Sequence, residues 1–380
     1  MTRREKYPIG QQSFEVLRDK GYVYVDKTRF IEEILEGSQY YFLARPRRFG
    51  KSLFLSTLKC FYEGKRHLFE GLYIDSIDWE WEAYPVLYID LNVVNYDSPE
   101  SLSILLENHL ERWEEKYGVK RIAGSIASRF TNVIHSAYNT TGKRVVILVD
   151  EYDKPLVGHL SDKDGFERFR SDLAAFYANF KSCADFIELV FITGVSRFGK
   201  LSVFSGLNNI KDISFDNRFS DICGISGEEL LDVFTPGIKN LAEANGQSFE
   251  KACNELKHRY DGYRFANKGK DIYNPYSLLN VIDSEQYGNY WIESGQPTIL
   301  KEQLTRFNVD LESLLHPCCS IEALKGLDLD NPRPIALLYQ TGYLTIKSYN
   351  PSDSLYTLGI PNKEVEEGFL MLISDWKVSK

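Results

Sequence analysis

An apolar run of five residues, Tyr40 to Ala44 (YYFLA), enters a basic, glycine-containing loop. The segment behind it, FGKSLFLSTLKCFYEG, repeats its apolar residues at helical spacing. Strand, loop and helix in that order constrain the chain more than any other feature. Further runs with strand character are PVLYIDL (Pro85 to Leu91), RVVILVD (Arg144 to Asp150) and FIELVFIT (Phe186 to Thr193). Helical patterns lie between them, at Ser101 to Tyr117 and Gly165 to Asn179. Near-continuous apolar strands alternating with helices predict an α/β fold on a mostly parallel sheet, covered by helices on both faces.

Past about Ser220 the pattern turns to helices with few buried strand runs, so a second domain is expected there. Ser226 with Glu229 ahead of Leu230 and Leu231 is a capping-box signature. Asn274 followed by Pro275 places an Asn cap before a proline at the first helical position. A chain of 380 residues exceeds one ordinary core, which also favours two or three domains.

Two segments approach the phosphate-loop pattern G-x-x-x-x-G-K-[ST]. Arg45-Pro46-Arg47-Arg48-Phe49-Gly50-Lys51-Ser52 has the Gly-Lys-Ser end but carries arginine where the first glycine belongs. Gly194-Val195-Ser196-Arg197-Phe198-Gly199-Lys200-Leu201 has both glycines but leucine where the hydroxyl belongs. That hydroxyl is a magnesium ligand, and leucine cannot replace an oxygen donor to a hard cation. Only the first segment is followed by an apolar strand ending in acids, RVVILVDE. The first segment is therefore the expected site of a nucleotide, with Arg47, Arg48, Phe49, Gly50, Lys51, Ser52 and Leu53 as its binding residues. Backbone amides and the N-terminus of the following helix face the phosphates, and Lys51 neutralises the outer charge. Two departures from the usual loop matter. A non-glycine residue forced to positive φ at position 45 costs roughly 1 to 3 kcal/mol, and Pro46 removes an N–H donor. Arg45, Arg47 and Arg48 are expected to offer side-chain donors instead.

The strand from Val145 to Val149 delivers Asp150 and Glu151 to its carboxyl end, where open α/β sheets bind ligands. Asp150 and Ser52 are the expected Mg2+ ligands, and Glu151 the group that orients and deprotonates water. Thr193, at the end of the next apolar strand, is the sensor candidate. Arg197 is a candidate reporter of nucleotide state or arginine finger, with Arg218, Arg259 and Arg264 as weaker ones. The acidic strand reads Asp-Glu, and Asn267-Lys268-Gly269-Lys270 lacks the aspartate of a guanine signature, so ATP is expected over GTP.

The net charge of −9 sets a repulsive average field against DNA, so nucleic acid is a disfavoured partner, although a local basic patch stands at Arg45, Arg47, Arg48 and Lys51. The six cysteines form no Cys-x-x-Cys pair, which predicts reduced thiols. No segment reaches about 18 consecutive apolar residues, and MTRREKYPIG leads into no apolar stretch. A cytoplasmic protein without membrane association is expected.

These residues resemble the bacterial AAA-ATPase-like family, whose loop typically reads Arg-Pro-Arg-Arg-Phe-Gly-Lys-Ser. The likeness extends over YPIGQQSFEVLR, YVYVDKT, VDEYDKP, TGVSRFGKLSVFSGLNN, YDGYRF, YNPYSLLN and GIPNKEV, nearly the whole chain. It implies that Arg45 is the family's own version of the loop and that Gly194 to Lys200 is a sensor-region motif. It accords with a P-loop ATPase of the AAA/STAND kind, with Walker A and Walker B elements; the leading expectation is an ATP-driven switch or motor whose protein partner the sequence does not name. Family members usually continue into a PD-(D/E)XK nuclease-like domain, which the sequence is expected to lack. Glu114-Glu115-Lys116 and Glu255-Leu256-Lys257 fit that domain's Glu-x-Lys spacing but sit in helical patterns, and read as solvated helix faces. LLYQTGYLTIK (Leu337 to Lys347) resembles the helix and β-ribbon of a winged helix. The expected domains are 1–225, the P-loop ATPase domain with its N-terminal extension; 226–290, a helical lid; and 291–380, a helical, winged-helix-like unit. Two other readings stay open: a nucleotide-binding interaction module with little or no turnover, and a DNA-associated regulator acting through the winged-helix segment.

Overall fold

The computed structural model describes residues 5–120, 124–197, 203–204, 207, 209–294, 317–326 and 334–378. Two short helices, α1 (Phe14–Asp19) and α2 (Arg29–Leu35), precede β1 (Tyr40–Ala44) and the long α3 (Lys51–Tyr62). Then follow β2 (Val86–Asp90), α4 (Ser101–Lys116), α5 (Ile126–Thr141), β3 (Val145–Asp150), α6 (Lys154–Val157), α7 (Lys163–Ser182), β4 (Ile187–Gly194) and β5 (Lys211–Asp212). The five strands pair in parallel in the order β2-β3-β4-β1-β5. Every residue of β3 is buried, which is what its unbroken Val-Val-Ile-Leu-Val run requires of a central strand.

Register fixes what stands at the carboxyl edge. Asp90 is level with Asp150, Val149 with Ile192, and Ala44 with Gly194. Because β4 is inserted between β1 and β3, the chain after Gly194 emerges between the basic loop and the acidic pair.

Helices flank the sheet with local signals that the sequence carries. Ser125 caps α5 by accepting from the Ser128 amide, Gly142 ends it in the left-handed region, and Asp162 caps α7. Glu114 on α4 is not the solvated residue its helical context suggests. It is 5% exposed and takes a two-pronged hydrogen bond from Arg129 of α5, at 2.7 and 2.8 Å. Its partner lies on another helix, which helical spacing alone does not reveal. Glu255 does lie on a helix surface, paired with Arg259.

A short antiparallel pair, β6 (Ile225–Ser226) and β7 (Ile272–Tyr273), frames α8 (Gly227–Ala244), α9 (Phe249–Tyr260) and α10 (Pro275–Ser284). Both expected starts form: the Ser226–Glu229 capping box, and the Asn274 cap with Pro275 behind it. These helices bury their own apolar cluster, centred on Phe234, Ile238, Leu241 and Leu256. Tyr7, Ile9, Val23 and Val25 from the start of the chain pack against it. After α11 (Tyr290–Ser294), a three-stranded antiparallel sheet of β8 (Cys318–Cys319), β9 (Thr345–Asn350) and β10 (Leu355–Gly359) forms with α12 (Ile321–Lys325), α13 (Pro334–Thr341) and α14 (Lys363–Val378). The expected helix followed by a β-ribbon is α13 with β9 and β10. Its apolar residues, Leu337, Leu338, Ile346 and Leu358 among them, belong to the same buried cluster as the parallel sheet. No helix among the described residues is long and apolar enough to cross a membrane.

Candidate functional site

Lys51 is the first residue of α3, and its side chain is only 3% exposed. A buried ammonium must be met by acceptors. It donates to the Arg45 carbonyl at 3.1 Å and the Pro46 carbonyl at 3.2 Å, and stands 3.8 Å from Glu151 Oε1. The basic loop and the acidic strand thus converge on one spot. The first backbone bond of α3 runs from the Phe54 amide to the Gly50 carbonyl, so the amides of residues 51 to 53 are the helix's orphan N-terminal donors. Ser52 and Leu53, half-buried, share this first turn.

The loop takes its left-handed turns at Arg48 (φ 70) and Gly50 (φ 98), and Arg45 is not among the positive-φ residues. That resolves the strain expected at the first loop position. It also corrects the expectation that Arg45 donates to phosphate: its guanidinium is buried and turned away. The guanidinium donates to the carbonyls of Ala44, Ser214 and Phe219 at 2.8 to 3.0 Å, and lies 4.3 Å from the centre of the Phe265 ring. Burial lowers its pKa. Phe49 is equally buried, edge-on to Tyr263 and Phe265, and its carbonyl accepts from the Gly224 amide at 3.0 Å. Arg47 is half-buried, and Arg48 is exposed and stacks over Tyr276.

At the end of β3, Asp150 is 2% exposed. Its Oδ1 accepts from the Thr193 hydroxyl at 2.6 Å and its Oδ2 from the Tyr88 hydroxyl at 3.2 Å. The sensor candidate therefore touches the metal-ligand candidate directly. Glu151 sits in the left-handed region at φ 55, a strained conformation costing roughly 1 to 3 kcal/mol for a residue of this kind. Asp90, at the end of the neighbouring β2, has its pKa raised by burial, with Asp150 and Glu151 adding to the effect.

A family model described as Predicted AAA-ATPase matches residues 8–204. The chain belongs to this family. It is also 35% identical over 367 residues to a protein from Azotobacter chroococcum mcd 1 named "Uncharacterized protein in vnfD 5'region", an alignment covering 96% of this chain and 69% of that one.

In this AAA-ATPase family member, the second glycine-lysine segment leaves β4 beside the first. The Val195 and Ser196 amides donate to the carboxylate of Asp153, and the Arg197 amide donates to Gln340 Oε1 on α13. The Arg197 guanidinium is ion-paired with Asp212 and lies over the Phe215 ring, and burial lowers its pKa to about 10. Phe198 to Leu201 lie outside the described residues. The weaker arginine candidates are engaged locally: Arg218 with Asp216, Arg259 with Glu255, and Arg264 with Asp271.

Sequence reasoning gave no role to two features. One is Asp153. The other is an apolar pocket where Gly50 and Leu53 meet Val23 and Val25 of the N-terminal segment and Ile225 and Leu279 of the helical cluster. The only signal for that cavity was the run of family motifs ahead of the loop.

Proposed function

We propose that this chain binds ATP with Mg2+ at the carboxyl ends of β1, β3 and β4 and hydrolyses it. The observation that carries the reading is the 3.8 Å approach of Lys51 to Glu151, with the Thr193–Asp150 hydrogen bond beside it. The donor set fits the cofactor. The Ser52 hydroxyl and the Asp150 carboxylate are hard oxygen ligands suited to Mg2+, and each Asp150 oxygen keeps acceptor capacity beyond its one protein donor. Bound Mg2+ supplies charge neutralisation at the phosphates.

The chain's own residues do the rest. Orphan amides of α3 and the Lys51 ammonium hold the phosphates, with charge-assisted bonds worth roughly 1.5 to 3 kcal/mol each. Glu151 orients a water and takes its proton. Thr193, hydrogen-bonded to Asp150, acts as the sensor. The apolar cavity beside Gly50 and Leu53 takes the adenine base.

In this reading residues 1–225 are the ATPase domain, 226–290 a lid and 291–380 a winged-helix-like unit, and nucleotide turnover shifts the lid and is read by a protein partner. The lid assignment draws on the cavity, which the helical cluster walls on one side. A cytoplasmic place of action accords with six free cysteines. The test is phosphate release and binding of a fluorescent ATP analogue by the wild type, Glu151→Gln and Lys51→Ala. Release lost in Glu151→Gln with binding kept supports hydrolysis. Unchanged release in Glu151→Gln, with binding abolished in Lys51→Ala, leaves a nucleotide-binding module without this chemistry.

A further inference from the structure

Asp153 is 1% exposed and lies two residues beyond Glu151. A carboxylate this deep needs donors, and it has them. Oδ2 accepts from the Ser196 amide at 2.6 Å, and both oxygens accept from the Val195 amide at 3.2 Å. Around it the same two segments are joined again. The Tyr152 amide donates to the Thr193 carbonyl at 2.9 Å, and the Tyr152 hydroxyl to the Ser196 carbonyl at 3.1 Å. The fit leaves no spare room: a Cβ on Gly194 would stand 2.5 Å from the Tyr152 ring and 2.7 Å from Asp153 Oδ1.

The clamp sits next to strained backbone. Glu151 holds φ 55, and such a conformation persists only where its surroundings over-determine it. The turn on its far side is what Asp153 fastens to the exit of β4, the strand whose Thr193 contacts Asp150. Burial raises the Asp153 pKa to about 6, with Glu151 adding to the rise and the Ser196 and Val195 amides and Lys51 opposing it.

We propose that Asp153 is a positioning residue for hydrolysis: by binding the Val195 and Ser196 amides it holds Glu151 opposite Lys51 and keeps Thr193 in register with Asp150. The inference rests on the reading of the site as a hydrolase. It assigns Asp153 no contact with nucleotide.

The experiment compares the wild type, Asp153→Asn, Asp153→Ala, Tyr152→Phe and Glu151→Gln in the full chain. The readouts are steady-state phosphate release, equilibrium binding of mant-ATP with Mg2+, and thermal unfolding. A misplaced reacting group costs about 100-fold in rate, so Asp153→Ala should lose about that much kcat. Asp153→Asn, which keeps one acceptor oxygen, should recover part of the loss, and Tyr152→Phe should lose only a few-fold. KM and mant-ATP affinity should stay within about 3-fold, because binding does not use Glu151. A residue that merely supports the fold would lower the unfolding temperature and the active fraction without this split between kcat and KM or this graded rescue.

The proposal is overturned if Asp153→Asn and Asp153→Ala both keep wild-type kcat while Glu151→Gln loses it, or if their losses fall on KM and mant-ATP binding. Should Asp153→Ala not fold, the Asp153→Asn and Tyr152→Phe pair decides on the same criteria. A wild type that binds mant-ATP but releases no phosphate would show that the hydrolase reading itself fails, and the proposal falls with it.

Discussion

The molecule contains the tetrapeptide Arg-Phe-Gly-Lys twice, at 48 to 51 and again at 197 to 200, each time shortly after a strand of the same sheet. The strands are neighbours, with Ala44 level with Gly194 and the Arg45 amide bonded to the Gly194 carbonyl. Yet the two exits differ in how their backbone donors are met. After β1 the chain turns at Arg48 and Gly50 and starts a twelve-residue helix, leaving that helix's first amides with no carbonyl behind them. After β4 the first two amides are taken by Asp153, an anion that the protein supplies itself, and the third by Gln340. A phosphate-binding exit of the kind proposed for the first segment needs such uncommitted donors at its helix start, and the lettering of the motif does not reveal them.

The sharpest way to break this contrast is to remove the acid that faces the first loop. Glu151→Gln should cut phosphate release by about 10² to 10⁴-fold in a coupled phosphate assay, with analogue binding kept. Next comes the anchor of the first exit. Arg45→Ala strips the donors from three buried carbonyls and should lower stability by about 3 to 5 kcal/mol in urea unfolding. Lys51→Ala should weaken Mg-ATP by about 10 to 100-fold in calorimetry, the loss of one charge-assisted contact.

The second exit should answer to pH. Asp153 keeps its proton to a pH of about 6 in the folded chain, whereas the unfolded chain releases it near the ordinary 3.8. Between those values the folded state holds the extra proton. Stability from this group is therefore highest below the window and falls as pH rises through it, by about 3 kcal/mol. Denaturant titrations across the window should show that slope in the wild type and a smaller one in Asp153→Asn. The smallest expected effect is none. Giving the second segment the missing hydroxyl, Leu201→Ser in a Lys51→Ala background, should not restore analogue binding, because the hydroxyl does not release the amides. Restored binding would mean that the letters alone suffice.

Local physics made much of this legible. The all-apolar run of β3 admits no other place than the middle of a sheet, and the Asp-Glu behind it therefore falls on the ligand-binding edge. Ser226 with Glu229 and Asn274 with Pro275 are caps whose partners lie within a few residues, and both formed. What escaped depends on partners far along the chain. Arg45 read as a phosphate donor because the carbonyls that hold it lie 169 and 174 residues later. Glu114 read as solvated because Arg129 belongs to another helix. Asp153 looked like one acid in a turn until the β4 exit, 42 to 43 residues on, was laid beside it. The apolar cavity needed three distant segments at once.

Tyr7, Ile9, Val23 and Val25 complete an apolar cluster whose other members run from Ile225 to Ile282. On a ribosome these residues emerge about two hundred positions ahead of the first of their partners. Closing so long a loop is entropically slow, and the exposed apolar segment is open to premature association meanwhile. Maturation of the helical cluster should therefore be a late event, finishing after the parallel sheet has assembled.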